Sequence, residues 1–406
     1  MHDVVIAGAG TVGSVLGLML AQAGVRVGLI ERRALSIDSS DIQDYRTVAL
    51  AARSVKILQG IGLWQELEPK ACPILDIRVV DQYSPLLLDF HSQELNKGAF
   101  GWIVENRDFS SLLHQQLQQH PNITVYAGVS IKKFQQNNGL VSIALDDGVL
   151  LNSGLLVGAD GRHSQTREML GLRLFHHDYQ RKGITTVIRH ESPHEHTALE
   201  HFFSHGPFAI LPMKDDEQGR HRSSIVWTET TDKANALIQM EETEFLAVLA
   251  RQCLNMDSPQ KNISYLGKLE LAAPIQAWPL VLGLTTAMGV GRVVLAGDAA
   301  HAIHPIAGQG LNMGMRDVEA LSMLIIENKK SGFLAGDNQF LQRYQANRLA
   351  DNWRMGVVTH GLEKLFAHPH PIIKIGRRMG LAAINQNSII RRFFMHEAMG
   401  IRHSAG

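Results

Sequence analysis

Two cysteines, Cys72 and Cys253, are all that 406 residues contain, which rules out a disulfide framework and fits a reducing cytosol. Charge of either sign is not in excess: Lys+Arg and Asp+Glu both total 39, against the basic surplus of proteins that coat nucleic acid. No nucleic-acid partner is expected. Repeats and low-complexity tracts are absent, so solenoid, collagen-like and disordered classes drop out. An uninterrupted apolar span is missing as well. Val4 to Val25 carries no charge, but Gly8, Gly10, Gly13, Gly17 and Gly24 punctuate it, and Asp3 stands where a signal peptide needs a cation. No HExxH and no cysteine pair at zinc spacing occurs. His194-Glu195-His196, with His201 and His205, is therefore expected to be a polar surface strand, and no metal is expected.

What remains is an ordinary globular composition, 45% hydrophobic and 19% charged, long enough for two or three domains with a sizeable core. Val4-Val5-Ile6-Ala7 reads as a buried parallel strand, followed by a glycine turn, a helix to about Ala23, and a second strand over 25–30. Gly8-x-Gly10-x-x-Gly13 sits between that first strand and its helix. The first glycine permits the tight turn, the second admits a pyrophosphate, and the third lets helix approach strand. Thr11 and Val12 open the helix, whose positive end favours phosphate. Glu31, ending the second strand, can accept from ribose hydroxyls, with Arg32 beside it.

Further strands are expected over 155–159 and 292–296, making the nucleotide-binding half discontinuous. A polar helix is predicted near 108–120 and a hairpin about Asp146-Asp147-Gly148. A helix is predicted over 311–327, and mostly helix from Asn338. The fingerprint alone does not separate NAD from FAD. Gly297-Asp298, at a strand end, offers a carboxylate for a polyol chain. The turn Pro305-Ile306-Ala307-Gly308-Gln309-Gly310-Leu311-Asn312 leaves free N–H groups at a helix start, suited to the anionic edge of a reduced flavin. The chemistry points to FAD.

With GAGTVG at the N-terminus, GADGRHSQTR at 158–167 and GDAAHAIHPIAGQGLNMGMRDVEAL at 297–321, the chain resembles the FAD-dependent aromatic hydroxylases, the class A flavoprotein monooxygenases. HPIAGQGLNMGMRD, Trp278-Pro279-Leu280 and Gly206–Pro212 resemble the ubiquinone-biosynthesis hydroxylases, nearest to the 2-polyprenyl-6-methoxyphenol hydroxylase branch.

The resemblance implies an α/β fold: a doubly wound, Rossmann-like FAD-binding domain (1–72, 101–172 and 276–335). It also implies an inserted, mixed β-rich substrate domain (73–100 and 173–275) and a helical C-terminal region (336–406). Gly8, Gly10, Gly13 and Glu31 would hold the ADP part of FAD. Arg46 and Arg107 match arginines near the cofactor; the alternative for each is an ordinary surface ion pair. Asp160 would serve FAD and the approach of NAD(P)H, Asp298 the ribityl chain, and Pro305 with Gly308–Asn312 the isoalloxazine. Phe208, Ile210, Leu211 and Pro212 are expected to line the substrate. His304 is the candidate base, with a structural role as its alternative. NAD(P)H would be a co-substrate without a second fingerprint, reducing FAD so that O2 gives a C4a-hydroperoxide that attacks an electron-rich phenol.

A polyprenylated phenol is the expected substrate, and other ubiquinone-biosynthesis proteins are expected partners. A soluble aromatic substrate and a non-catalytic FAD-binding subunit are the alternatives; a flavin halogenase is disfavoured because Trp-x-Trp-x-Ile-Pro is absent. From Gly361 onward seven Lys/Arg face two Glu, a net +5, interleaved with residues such as Ile372, Ile389, Phe393 and Phe394. That mixture suits a helix on an anionic membrane surface, and equally a helix packed on the protein. A cytoplasmic protein, peripheral at the inner membrane face, is the expectation.

Overall fold

His2–Ala7, apolar but for its first two residues, forms a strand buried on both faces of an eight-stranded sheet. Val27–Glu31 and Leu150–Gly158 flank it in parallel, so Ala7 aligns with Ile30 on one side and Gly158 on the other. Ile123–Ala127 continues the parallel array beyond Val27–Glu31, and Val293–Leu295 continues it beyond Leu150–Gly158. Strand order thus reverses at the first strand, the crevice where doubly wound sheets bind ligands. The expected hairpin is present: Leu140–Leu145 pairs antiparallel with Leu150–Gly158, closed by Gly148 at φ +92°. The computed structural model describes residues 1–81, 87–95, 98–137, 139–254, 266–303, 308–336, 338–368 and 370–400.

The helices Thr11–Gln22 and Gln309–Lys330 pack on this sheet through one core that includes Leu16, Leu20, Leu29, Met315, Val318 and Leu321. A second, nine-stranded sheet joins Asp76–Asp81 and Leu87–His91 to Leu174–His190, Thr197–Phe203, Gly206–Met213 and His221–Thr230. Gln276–Thr285 belongs to this sheet too, paired antiparallel with Leu174–His190. The boundary drawn at 276 therefore falls too early. Trp278-Pro279-Leu280 carries a sequence likeness, but backbone pairing puts those residues in the nine-stranded sheet.

One face of the nine-stranded sheet is covered by the helices Thr231–Leu237 and Glu242–Leu254, burying Ile184, Phe208, Ile210, Ile225, Trp227 and Phe245 together. The other face meets a three-stranded sheet (Thr47–Ala51, Gly101–Glu105, Cys72–Ile74) and the C-terminal helices Asn338–Ala367, Pro371–Gln386 and Ser388–Ala398. Val187, Ala198, Ile103, Met213, Met395 and Met399 form the apolar cluster there, with Ala49, Leu211 and Phe366 against it. This clustering sets the geometry of the site.

Candidate active site

Parallel pairing brings the C-terminal ends of four strands to one edge, so Gly8, Glu31, Asp160 and Asp298 all follow from the same rim. Gly8 lies at φ +103°, and a Cβ there would meet the Ala159 carbonyl oxygen at 2.4 Å. A Cβ on Gly13 would sit 2.0 Å from the Gly8 carbonyl oxygen, whereas one on Gly10 would meet nothing within 4 Å. The two outer glycines serve packing; the middle one faces open space. Gly10 caps Thr11–Gln22 with no side-chain acceptor, and no acid stands in the first turn, so the N–H groups there are free for an anion. Glu31 accepts from Ala9 N–H at 2.8 Å and Arg33 N–H at 3.1 Å, which fixes its carboxylate over the glycine loop. Arg32 is exposed beside it.

Asp298 follows Val293–Leu295 on a short turn and is exposed, close enough to Arg46 for their charges to interact. The Arg46 guanidinium forks onto Asp44 (2.7 and 2.6 Å) and lies 4.4 Å above the Trp278 ring, which places this strand of the nine-stranded sheet against it. Its hydrogen bonds to Asp44 hold that guanidinium protonated against the opposing effect of burial. Arg107 pairs with Glu105 at 2.9 Å, and the same carboxylate takes Arg222 at 2.8 Å. Asp160 is turned inward: it accepts from Ser164 Oγ at 2.5 Å, Thr166 N–H at 2.9 Å and Thr166 Oγ1 at 3.0 Å. Its carboxylate shapes its own loop rather than reaching outward.

Gly308, at φ +61°, starts the helix Gln309–Lys330, again without a side-chain cap or an acid in the first turn. Gln309, Gly310 and Leu311 follow, and a Cβ on Gly310 would meet nothing within 4 Å. Val12 from the first motif packs into this second one: Cβ atoms on Gly297 and Gly314 would lie 3.0 and 2.6 Å from its Cγ2. The two glycine-led helix starts are thus locked side by side. Asn312 departs from the expectation. Its Oδ1 accepts from Ala51 N–H (2.9 Å) and Ser54 Oγ (2.7 Å), and its Nδ2 donates to Ala49 and Gly308 carbonyls (2.8 and 3.0 Å). With every polar position used, it pins the helix start to Thr47–Ala51 instead of lining a ring. His304 and Pro305 lie outside the described residues.

Strand alternation also divides the four expected substrate residues. Phe208 and Ile210 are 0% and 1% exposed on the helix-covered face, and Pro212 shares their side of the strand. Leu211 alone points to the opposite face, toward Ala49 and Val187. Ser224, its cross-strand neighbour, accepts through Oγ from the Thr47 hydroxyl at 2.7 Å, bridging the two sheets. The surface-strand reading of the histidines also fails: His194 and His201 are buried, and His194 to His196 form a turn with φ +50° and +54° at Glu195 and His196. Residues that sequence reasoning passed over include His301, Asp317 and Arg348, which form a buried network behind Gly297. His301 and Asp317 stand within the quoted motif, but nothing local marks them as a pair.

Two uncapped helix starts held side by side, with open space at Gly10 and Gly310, suit a ligand that carries phosphate or other negative charge. A glycine turn and open helix start at the switch point of a doubly wound sheet define a dinucleotide-binding protein. The model of the FAD binding domain family matches residues 1–357. Ubiquinone hydroxylase UbiL of Rhodospirillum rubrum is 36% identical over 398 residues, covering 98% of this chain and 89% of that protein. The 3-demethoxyubiquinol 3-hydroxylase of Escherichia coli is 28% identical, covering 98% of each. The chain belongs to the FAD-dependent ubiquinone-biosynthesis hydroxylase family. Among solved structures, p-nitrophenol 4-monooxygenase PnpA of Pseudomonas putida superposes with a TM-score of 0.77 at 18% identity, over 99% of both chains. PqsL, a probable FAD-dependent monooxygenase of Pseudomonas aeruginosa, gives 0.76 at 20% identity, over 94% of this chain and 99% of that one. These two support the fold.

Proposed function

We propose that this protein hydroxylates the aromatic ring of a polyprenylated phenol in ubiquinone synthesis, drawing two electrons from NAD(P)H and one oxygen atom from O2, the other leaving as water. One observation carries the reading. Ala49 meets the Gly308 turn, since a Cβ on Gly308 would lie 3.0 Å from its Cβ. Ala49 also packs against the apolar cluster that holds Leu211, Phe366, Met395 and Met399. A ring at that turn would look onto an apolar wall fit for a lipid-substituted phenol.

In this reading the N–H groups after Gly10 hold the pyrophosphate, and Glu31 holds the adenosine ribose. Asp298 takes the ribityl hydroxyls, with Arg46 beside it held in place by its fork onto Asp44, and Arg107 held by Glu105. The N–H groups of Gln309, Gly310 and Leu311 stabilise negative charge on the flavin's pyrimidine edge. FAD, when bound, supplies the activation of O2; the protein supplies placement and a dry wall. A single fingerprint supports transient binding of NAD(P)H. Among the described residues no helix is long and apolar enough to cross a membrane. Ile372, Met379 and Ile389, exposed at 72%, 68% and 78% on the basic C-terminal helices, support contact with a membrane surface.

Cells lacking the protein test the proposal by mass spectrometry of quinone lipids. Loss of ubiquinone, with a prenylphenol one hydroxyl short accumulating, is expected. Unchanged ubiquinone, with NAD(P)H oxidation by the purified protein stimulated only by soluble phenols, would replace it with the soluble-aromatic reading. Bound FAD that no NAD(P)H and phenol together reduce would favour a non-catalytic subunit.

A further inference from the structure

We propose that Cys72, His194 and His196 form a binding site for a zinc-class divalent cation, which clamps the three-stranded sheet to the substrate sheet. The three side chains each offer a ligand atom within 4.8 Å of the other two. Cys72 Sγ lies 3.5 Å from His196 Nδ1. Tetrahedral coordination with a metal–sulfur bond of about 2.3 Å and a metal–nitrogen bond of about 2.0–2.1 Å puts those two ligand atoms about 3.6 Å apart. The pair is therefore already at coordination distance.

His194 is oriented in the manner of a metal ligand. Its Nε2–H donates to the Met213 carbonyl at 2.8 Å, leaving Nδ1 as the lone-pair nitrogen. That nitrogen accepts the His196 backbone N–H at 3.1 Å, a contact it would exchange for the ion. Two left-handed residues, Glu195 and His196, hold the turn that returns the second imidazole to the thiol. The His196 carbonyl accepts from Leu75 N–H at 3.0 Å, so the turn is tied to the residue that directly follows the strand carrying Cys72. Charge near the thiol is mixed: Lys214 and Arg222 act against Asp215, and Asp215 itself pairs with His221 at 3.1 Å. Cys72 and His194 are buried while His196 is exposed, so water completes the coordination. A thiolate with two imidazoles is a borderline-soft donor set, which selects zinc over magnesium or calcium. Binding releases the Cys72 proton to solvent.

The site lies in a connection between two sheets and depends on no reading of the flavin chemistry. Its test uses the full-length FAD-loaded protein under a phosphine reductant, with zinc ion alone as the probe. One zinc per chain should survive gel filtration, and its X-ray absorption fine structure should show one sulfur at about 2.3 Å beside nitrogen at about 2.0–2.1 Å. Cys72→Ser and His196→Asn should each weaken zinc at least tenfold while leaving FAD content and the zinc-free Tm unchanged; asparagine tolerates the left-handed backbone at 196. Zinc should raise the Tm of the wild type alone. No retained zinc, a shell without sulfur, or equal binding by Cys72→Ser would overturn the site and leave the 3.5 Å contact as a thiol–imidazole hydrogen bond.

Discussion

His301 Nε2 and a carboxylate oxygen of Asp317 are 2.5 Å apart, and both side chains are wholly buried. The same carboxylate accepts from Arg348 Nε at 2.6 Å and from the Gly297 N–H at 2.9 Å. Arg348 then reaches Asp351 at 2.6 Å and Asn352 at 2.8 Å. Asp317 thereby connects the helix Gln309–Lys330 to the turn that presents Asp298. Wholly buried, it positions the turn that carries the residue proposed to meet the cofactor.

Removing that carboxylate would leave Arg348 and Gly297 with lost partners in the core. Asp317→Ala should cost about 3–5 kcal/mol, the range for stripping one partner from a buried ion pair. Urea unfolding at neutral pH measures it. The pH dependence has a definite sign. Burial alone would raise the Asp317 pKa, but the charges of His301 and Arg348 and their hydrogen bonds pull it down to about 2. A depressed carboxylate stabilises the fold above its unfolded pKa and loses that contribution as pH falls through the folded one. About 2 kcal/mol should therefore disappear between roughly pH 4 and pH 2, and the Asp317→Asn variant should not show that step. An acid profile identical in variant and wild type would remove Asp317 from the account.

Glycines of the fingerprint should separate folding from cofactor binding. Gly13→Ala forces a Cβ to within 2.0 Å of the Gly8 carbonyl oxygen, and at least about 3 kcal/mol or an insoluble chain is expected. Gly10→Ala meets no protein atom within 4 Å and should cost at most about 1 kcal/mol, yet lower FAD affinity at least tenfold. Asp298→Ala, at an exposed position, should match it: stability within about 0.5 kcal/mol, with FAD lost on gel filtration. The ratio of protein to flavin absorbance, read beside Tm, distinguishes the three. Full flavin in Asp298→Ala would end its assignment to the ribityl chain.

Backbone requirements made the nucleotide half readable from the sequence. A turn that only glycine can make, set between a run of apolar residues and a helix, is a local signal, and parallel pairing follows from burial on both faces. Side-chain destinations were less legible. Asn312 resembles a ring-lining residue until its partners Ala51 and Ser54, far away in the chain, come into contact with it. The strand Gly206–Met213 shows a period of two, but alternation does not say which face the helices Thr231–Leu237 and Glu242–Leu254 will cover. His194 reads as a surface residue because its burial depends on packing near Cys72 and Met213, on other strands.

That division of faces yields a contrast in mutational effect. Phe208→Ala should leave a cavity among Trp227, Phe203 and Ile225 and cost about 3–5 kcal/mol, with little effect on KM in the protein that still folds. Leu211→Trp, on the face shared with Ala49 and Met395, should keep near wild-type stability but raise the phenol KM or uncouple NAD(P)H oxidation from hydroxylation. Steady-state kinetics with peroxide detection reads both. If Leu211→Trp behaves as wild type, the phenol does not bind against this face.

The C-terminal helices pack on the protein through one side, the first of the two roles that the sequence left open. Arg377 forks onto Asp81 at 2.9 and 2.8 Å, both side chains almost fully buried, and also donates to the Phe366 carbonyl at 2.8 Å. Met395 and Met399, each 1% exposed, close the apolar cluster from the same side. On the outer side, Ile389 is 78% exposed and Phe393 46%. One surface thus anchors the helices, while the other exposes the apolar residues proposed to meet lipid. Arg377→Ala should strand Asp81 without its partner, destabilise by about 3–5 kcal/mol and speed proteolysis after Ala367. Paired Ile389→Asp and Phe393→Asp changes should leave the Tm near its wild-type value and abolish sedimentation with vesicles rich in anionic lipid. Salt should weaken the wild-type interaction, because each Lys or Arg near such a surface contributes only about 1 kcal/mol and is screened within a Debye length. Vesicle binding that survives the paired change would show that the outer apolar residues do not carry the proposed membrane contact, and would transfer that role to the remaining basic surface.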